Sequence, residues 1–536
     1  MKKFFTLVAA VLCSMNMMAK DYQGNLNVQV PSMFLNINQD ATISVTEETE
    51  GEYRLTIKDF SFQGMLVGTI DVSGVKVESE LGDVTQCTYT GETTILPSSN
   101  PEDQGMLANQ KVELDLTAQI TDNLIYTEIY IKAGEGEEAL NVTVTFNNTQ
   151  IPNSGFEDYH DMDMGKQEPN HWHSFGSSTG SLSGIVKKNY NIAVSDDVRQ
   201  GDEESNSSKS IKILSTLQLG SIPANGTLTT GRLKAAGFTP TSTDNCAFLD
   251  MSQTDVDNNK DPFYTTLNAM PDSISAWVKF KRGGADADYE ITDAKGKGTG
   301  EFSRVASVSA VITDGTYYQD PQDKDYTNIV ATAKGSIEET NGEWKKITVP
   351  FTYNEESLID PKAILVTFGT NAYPGVASKN AESPDELLVD DVKLIYNPGI
   401  KSIKFKGQEV KIASNNEGTI MNANSSYSLQ DFDIETNGAG AFYSAEIEHV
   451  YDEDMEEWGY ELHVVVFSGD LAEIDPYIIY INGSGTPTGI KNAAISTPKG
   501  IEGIYNLAGQ KVSSMQKGQV YVVKYTNGET KKVVKK

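Results

Sequence analysis

From Lys111 to Ile120 the chain reads Lys-Val-Glu-Leu-Asp-Leu-Thr-Ala-Gln-Ile, polar and apolar in strict alternation. A strand with one buried face satisfies that pattern, and a helix does not. The same period of two returns at Tyr53, Leu55 and Ile57, and again at Leu140, Val142, Val144 and Phe146. About eight such strands fit into the roughly 125 residues from Asp21 to Asn148, which predicts an up-and-down barrel. A barrel of this size holds a small ligand or is filled by its own side chains, and the filled form is the expectation.

At 536 residues the chain is too long for one ordinary core, so several domains are expected. Short strand patterns joined by turn residues, with few long apolar helical stretches, make the whole chain all-β. Lys2-Lys3 followed by the apolar run Phe4 to Leu12, with Ala19 where a small residue precedes cleavage, reads as an export signal over residues 1–19. Cys13 follows Leu12 rather than a small residue, which argues against lipidation. No later run reaches the roughly 18 to 20 apolar residues of a bilayer span. These features predict export to the cell surface or beyond it, with the periplasm as the other destination. A formal net charge of −32 excludes nucleic acid as a partner, because phosphate binding needs clustered Lys and Arg. Cys87 and Cys246 fall in different predicted domains and are expected as buried free thiols.

The central block opens on Asn153-Ser-Gly-Phe-Glu157 and closes on Leu387-Leu-Val-Asp-Asp-Val-Lys-Leu394. Between these ends stand Trp172, Trp277 and Trp344, each expected in the core of a two-sheet sandwich. Together with the strand Ile274-Ser-Ala-Trp-Val-Lys-Phe280, these motifs resemble carbohydrate-binding-module jelly rolls, and more narrowly the carbohydrate metabolism domain family of secreted bacterial proteins. The resemblance covers a little under half of the chain. The preceding segment resembles the calycin-like barrel domains of secreted bacterial proteins, in Tyr22-x-Gly24, Phe60-Ser-Phe62 and Val67-Gly-Thr-Ile70. The organisation expected is therefore a signal at 1–19, a calycin-like barrel at 20–150, a jelly-roll sandwich at 151–397, a small β module at 398–483, a linker at 484–499 and a β tail at 500–536. Tyr451 to Glu457 reads as an acidic hairpin tip and Asn527-Gly528 as a two-residue hairpin turn. The tail, with Gly503 to Lys511, Gly518 to Lys524 and the terminal Lys535-Lys536, resembles type IX sorting segments, the alternative being a plain small β-domain.

Sugar binding requires flat aromatic faces beside amides and carboxylates. Tyr317, Tyr318, Tyr326 and Tyr373 lie in polar, loop-like surroundings and are the candidate carbohydrate-binding residues. Jelly-roll modules of the kind this block resembles often join their end strands with a structural Ca²⁺, which would place Glu157, Asp390 and Asp391 at a hard-oxygen site, unless these carboxylates merely cap strand ends. His160, Asp161, Asp163, His171 and His173 crowd together, and His171-Trp-His173 would set both imidazoles on one strand face, but the spacing matches no zinc motif and an exposed polar loop is expected. Asp255 to Asp261 has the alternating acids of a calcium loop, with Lys260 in place of its glycine and Thr266 in place of its glutamate. Gly176-Ser-Ser-Thr-Gly180 satisfies G-x-S-x-G but lacks the strand and helix of a nucleophile elbow, so it reads as a loop. No catalytic residue is singled out. The leading reading is an exported glycan-binding protein without catalysis; the rivals are a glycoside-processing enzyme and a structural or adhesive surface component.

Overall fold

The alternation from Lys111 to Ile120 becomes a strand whose Val112, Leu114, Leu116, Ala118 and Ile120 are buried while Lys111, Glu113, Asp115 and Thr117 face solvent. In the computed structural model, the residues described are 19–30, 32, 35–62, 65–134, 139–190, 192–199, 208–284, 289–292, 298–302, 304–354, 359–373, 375–452, 457–488, 494–496, 501–506, 509–512, 520–525 and 530–534. Residues 1–18 of the expected export signal, the centre of the acidic tip at 453–456, residues 489–493 and 497–499 of the predicted linker, the expected Asn527-Gly528 turn and Lys535-Lys536 lie outside them. Eight antiparallel strands, β1 (Lys20–Val30), β2 (Leu35–Thr49), β3 (Glu52–Phe62), β4 (Met65–Leu81), β5 (Val84–Thr94), β6 (Lys111–Ile120), β7 (Ile125–Ala133) and β8 (Leu140–Asn147), form a barrel that closes where β1 pairs β8. Closure removes both sheet edges. Leu26, Val28, Ile43, Ile57, Ile70, Val72, Cys87 and Phe146 pack together in the barrel core.

The next unit places two antiparallel sheets face to face. The first has five strands in the order Ile192–Ser195, Ser210–Leu214, Glu386–Ile395, Ser273–Lys281 and Lys345–Pro350. The second runs Thr227–Thr229, Ala363–Gly369, Ala306–Thr313, Ile329–Ile337 and Thr352–Tyr353, with Thr265–Thr266 added against Ala363–Gly369. Ala276, Val278 and Phe280 of the first sheet share one core with Val308, Ala310, Ile312, Val366 and Phe368 of the second. Trp172 is wholly buried there, its ring 5.1 Å from Phe156 and 6.2 Å from Phe368. The other two tryptophans depart from expectation. Trp277 alternates outward from Ala276 and Val278 and lies half-buried under the Arg199 guanidinium, 4.2 Å from the ring centre. Trp344 is half-buried as well, and its Nε1 donates to Asp197 at 3.2 Å. A strand pattern identifies a strand but not which of its faces is covered, and these two rings stand on the outer one.

The sandwich core continues into its neighbours, reaching Val84 and Leu124 of the barrel and Phe442, Phe467 and Leu471 of the following unit. That unit pairs Glu417–Ile420 in parallel with Ile474–Ile481, followed by Glu457–Phe467, Phe442–Asp452 and Ala494–Ser496 in antiparallel order. The predicted linker is partly absorbed here. Gly485 N donates to Ala423 O, Thr488 N donates to Tyr427 O, and Ala494–Ser496 pairs Tyr443 to Ala445. Glycine makes this approach possible, since a Cβ at Gly485 would lie 2.3 Å from the carbonyl oxygens of Ala423 and Ser425. The tail forms a four-stranded antiparallel sheet of Lys511–Val512, Ile501–Asn506, Val520–Tyr525 and Thr530–Val534. Cys87 and Cys246 are buried free thiols. Among the described residues no helix is long and apolar enough to cross a membrane.

Replacing Trp172 by Ala is expected to cost about 3–5 kcal/mol, as removal of a core aromatic does. Trp344→Ala is expected to cost well under half of that, because its ring is only partly covered. Thermal unfolding of both variants checks this; equal losses would place Trp344 in the core.

Candidate functional site

The second sheet has an outer face as well as an inner one, and that outer face is only half covered. Where Val311, Ala363 and Leu365 turn outward, a three-stranded sheet of Arg232–Lys234, Cys246–Leu249 and Tyr318–Asp320 closes over them, and Leu233, Ala247, Leu249 and Tyr318 fill the gap. Beside this cover the outer face stays open and forms a groove of about 530 Å³. Its floor carries Ser307 and Ser309 from one strand, Thr367 from the next, and Lys334 and Ser336 from a third. These side chains point away from Val308 and Ala310, which alternate with the two serines into the core.

Two loops raise the aromatic walls. Phe238 stands on one rim, 68% exposed. Asn245 holds its loop by accepting from Ala236 N (3.1 Å) and Gly237 N (2.9 Å) while donating to Gly237 O and Thr239 O. A Cβ at Gly237 would come within 2.4 Å of the Ser242 side chain, so the turn needs glycine. Tyr373 stands on another rim, half-buried. Its loop is tied down by a buried network in which Asp385 accepts from Arg304 Nη2 (2.5 Å), Gly283 N (2.8 Å), Asn371 Nδ2 (3.1 Å) and Ser378 N (2.7 Å). Arg304 and Asp385 are both wholly buried, and Arg304 Nε also donates to Val376 O. The remaining wall is apolar, with Leu182, Ile185, Val186 and Ile222, and Leu219 63% exposed at the tip of a hairpin.

The charge in the groove is sparse and paired. Asp320 accepts from Lys334 Nζ at 3.0 Å and from Ser309 Oγ at 2.7 Å. It is the one carboxylate among the described residues that line the groove. Cys246 also lines it, and burial pushes its thiol up to about 11, so at neutral pH it is no thiolate nucleophile.

Of the four tyrosines predicted to bind, Tyr373 lines this groove and the other three pack on one another elsewhere. Tyr318 is wholly buried, edge-on to Tyr326 at 5.1 Å, and therefore presents no face to solvent. Tyr317 lies 5.7 Å from Phe248 and 6.4 Å from Tyr326, tilted by 39°, so no coplanar platform forms. Burial pushes the Tyr317 hydroxyl up to about 12. Phe238 was missed because a lone Phe in a Gly- and Thr-rich loop carries no local signal; its exposure alone singles it out.

The three carboxylates predicted to hold Ca²⁺ are each engaged separately. Glu157 accepts from Ser208 N and Lys209 N, Asp391 pairs with Arg199 at 3.0 Å, and Asp390 is buried with its Oδ1 accepting from Asp391 N. Ser178 of the G-x-S-x-G stretch is buried and donates to Phe175 O, on a loop rather than an elbow.

Residues 18–149 match the calycin-like β-barrel domain family. The calycin-like barrel touches the sandwich where Asp40 of β2 pairs with His171. No curated protein matches the chain. Among solved structures it is similar to a "putative glycoside hydrolase" of Bacteroides vulgatus, at 17% identity over 44% of this chain and 89% of that one, with a TM-score of 0.28. A second "putative glycoside hydrolase", from Bacteroides thetaiotaomicron, is 12% identical over 70% of this chain and 97% of its own, with a TM-score of 0.28. A "putative outer membrane protein" of Bacteroides fragilis is 11% identical over 66% and 97%, with a TM-score of 0.18.

Removing one partner of a buried ion pair strands the other, at about 3–5 kcal/mol. Asp385→Ala is accordingly expected to destabilise the chain by that amount, whereas Phe238→Ala at the open rim should leave the melting temperature unchanged. Calorimetric melting of the two variants checks both halves.

Proposed function

We propose that the chain is an exported glycan-binding protein, with the groove on the open face of the second sheet as its binding site and no catalysis there. The observation that carries this reading is the pairing of a hydroxyl-bearing floor with two ring-bearing rims, Phe238 and Tyr373, in a groove whose lining holds a single carboxylate among the described residues. Sugars present C–H faces to rings and hydroxyls to Ser, Thr, Asn and the Asp320–Lys334 pair. Glycoside hydrolysis needs two carboxylates, about 5 Å or about 6.5–9.5 Å apart. Asp320 has no such partner among the described residues of the lining and is already engaged by Lys334 and Ser309. The basic and apolar start of the chain supports export. A second reading, an apolar small molecule, is favoured by the wall of Leu182, Ile185, Val186, Leu219 and Ile222.

A glycan array probed with the full chain tests the proposal. Phe238→Ala with Tyr373→Ala should weaken binding of the best glycan at least about tenfold, since each ring contributes on the order of 1 kcal/mol. Tyr317→Ala should leave it unchanged. Retained affinity in the double variant would move the site elsewhere. Binding of apolar dyes displaced by no sugar would favour the second reading.

A further inference from the structure

The segment expected as an exposed polar loop folds inward instead. β9 (Tyr159–Asp161) and β10 (Gln167–Pro169) pair antiparallel with His160 directly opposite Glu168, which sets the two side chains on one face. The loop carrying Asp257, closed by a bridge between Val256 and Pro262, brings a third ligand to that face. One ligand atom from each of His160, Glu168 and Asp257 lies within 4.8 Å of the other two, the only such group of three among the described residues. The imidazole is 3.5 Å from the Asp257 oxygen and 4.0 Å from that of Glu168. His173 Nε2 stands 3.4 Å from the same Asp257 oxygen.

Each of the three ligands is anchored by one atom and leaves the other without a hydrogen bond among the described residues. His160 Nδ1 bonds Asn170 Oδ1 at 3.1 Å, which fixes the tautomer with a lone pair on Nε2. Glu168 Oε1 accepts from Ser174 N, and Asp257 Oδ1 accepts from Asn259 N and Asp261 N. Among the described residues, the inward atoms, His160 Nε2, Glu168 Oε2, Asp257 Oδ2 and both ring nitrogens of His173, are buried and have no hydrogen-bond partner. The side chains of Glu168, Asp257 and His173 are wholly buried. No Lys or Arg among the described residues pairs with either carboxylate. Two buried carboxylates with no Lys or Arg beside them are costly to ionise, and a divalent ion among them offsets that cost.

We infer that His160, Glu168 and Asp257 form a divalent transition-metal site, with His173 packed beside Asp257 outside the ligand set. An imidazole nitrogen with two carboxylate oxygens suits zinc rather than calcium, which takes six to eight oxygens. Zinc bonds of about 2.0–2.2 Å set neighbouring tetrahedral ligands about 3.4 Å apart, which the 3.5 Å contact of His160 with Asp257 matches. The site draws its three ligands from two paired strands and a loop. It ties the β9–β10 pair to the loop around Asp257, and through Ser174 to the turn at Phe175, which lines the groove. His171, two residues before His173, is outside the set: its φ of +64° breaks the strand and turns its ring toward Asp40 and Asp261.

The test is zinc binding by the full chain after dialysis against a chelator, followed by competition with a chromophoric chelator and by the visible spectrum with Co²⁺. The expected result is one equivalent of tightly bound zinc per chain, undisturbed by excess Ca²⁺, and a tetrahedral cobalt spectrum. Glu168→Gln and His160→Ala should each weaken it more than about a hundredfold, beyond the 10- to 100-fold expected when Asn170→Ala removes only the orienting partner. His171→Ala and Glu157→Gln should bind as the parent does. Should the ligand variants fail to fold, Asn170→Ala decides, since an unchanged zinc affinity in it overturns the assignment. So would a parent chain that holds no zinc, or that exchanges it for Ca²⁺.

Discussion

Everything that positions the groove depends on the parity of one strand. In Ala306–Thr313, Val308 and Ala310 enter the core between the sheets while Ser307 and Ser309 face the other way. A slip of one residue would bury the serines and expose the aliphatics, so the hydrophobic core fixes the floor of the groove as firmly as it fixes the fold. The neighbouring strands obey the same parity, with Val366 and Phe368 inward and Thr367 outward. Near its end the strand changes what it offers. Val311 points outward, and the outer face there is apolar and takes the cover of Leu233, Leu249 and Tyr318. A polar half left open beside an apolar half that is covered is what makes a groove rather than a flat sheet.

The walls are held by polar chemistry that the core cannot supply. Asp385 is wholly buried yet accepts four hydrogen bonds, one from a guanidinium, so its charge is compensated and Asn371 and Ser378 are tied to it. Asn245 does the corresponding work for the loop of Phe238 with two accepted and two donated bonds. The rings therefore stand on restrained backbone, which lowers the entropy lost when a ligand is clasped between them. The cluster of His160, Glu168 and Asp257 is the contrasting case, a buried polar group whose inner atoms have no hydrogen-bond partner among the described residues.

The barrel was legible in the sequence because a period of two is a local property, and Lys111 to Ile120 carries it without interruption. The two-sheet arrangement of the central block was read instead from its end motifs, its tryptophans and its resemblance to jelly-roll modules. Which tryptophan occupied its core was not, since Trp277 follows Ala276 on a strand and only the position of the opposite sheet decides which of the two faces inward. The binding tyrosines were legible only in part. Tyr318 sits among polar residues in sequence, yet its ring is covered by strands distant in the chain, whereas Tyr373 keeps an open side. Glu168 carried no signal at all, being an acid among many until β9 and β10 pair and set it across from His160. The kink at His171 was equally hidden, because a positive φ on a histidine is imposed by its surroundings and not by its residue type.

The account's central claim is that the open half of the second sheet is the ligand-binding face. A crystal structure of the full chain with the glycan that it binds best tests this most directly. The account predicts density lying over Ser307, Ser309 and Thr367, with a sugar ring against Phe238 or Tyr373 and hydroxyls within hydrogen-bond reach of Asp320 and Lys334. Density over the tyrosine cluster of Tyr317 and Tyr326, or inside the barrel, with the groove holding only solvent, would contradict it.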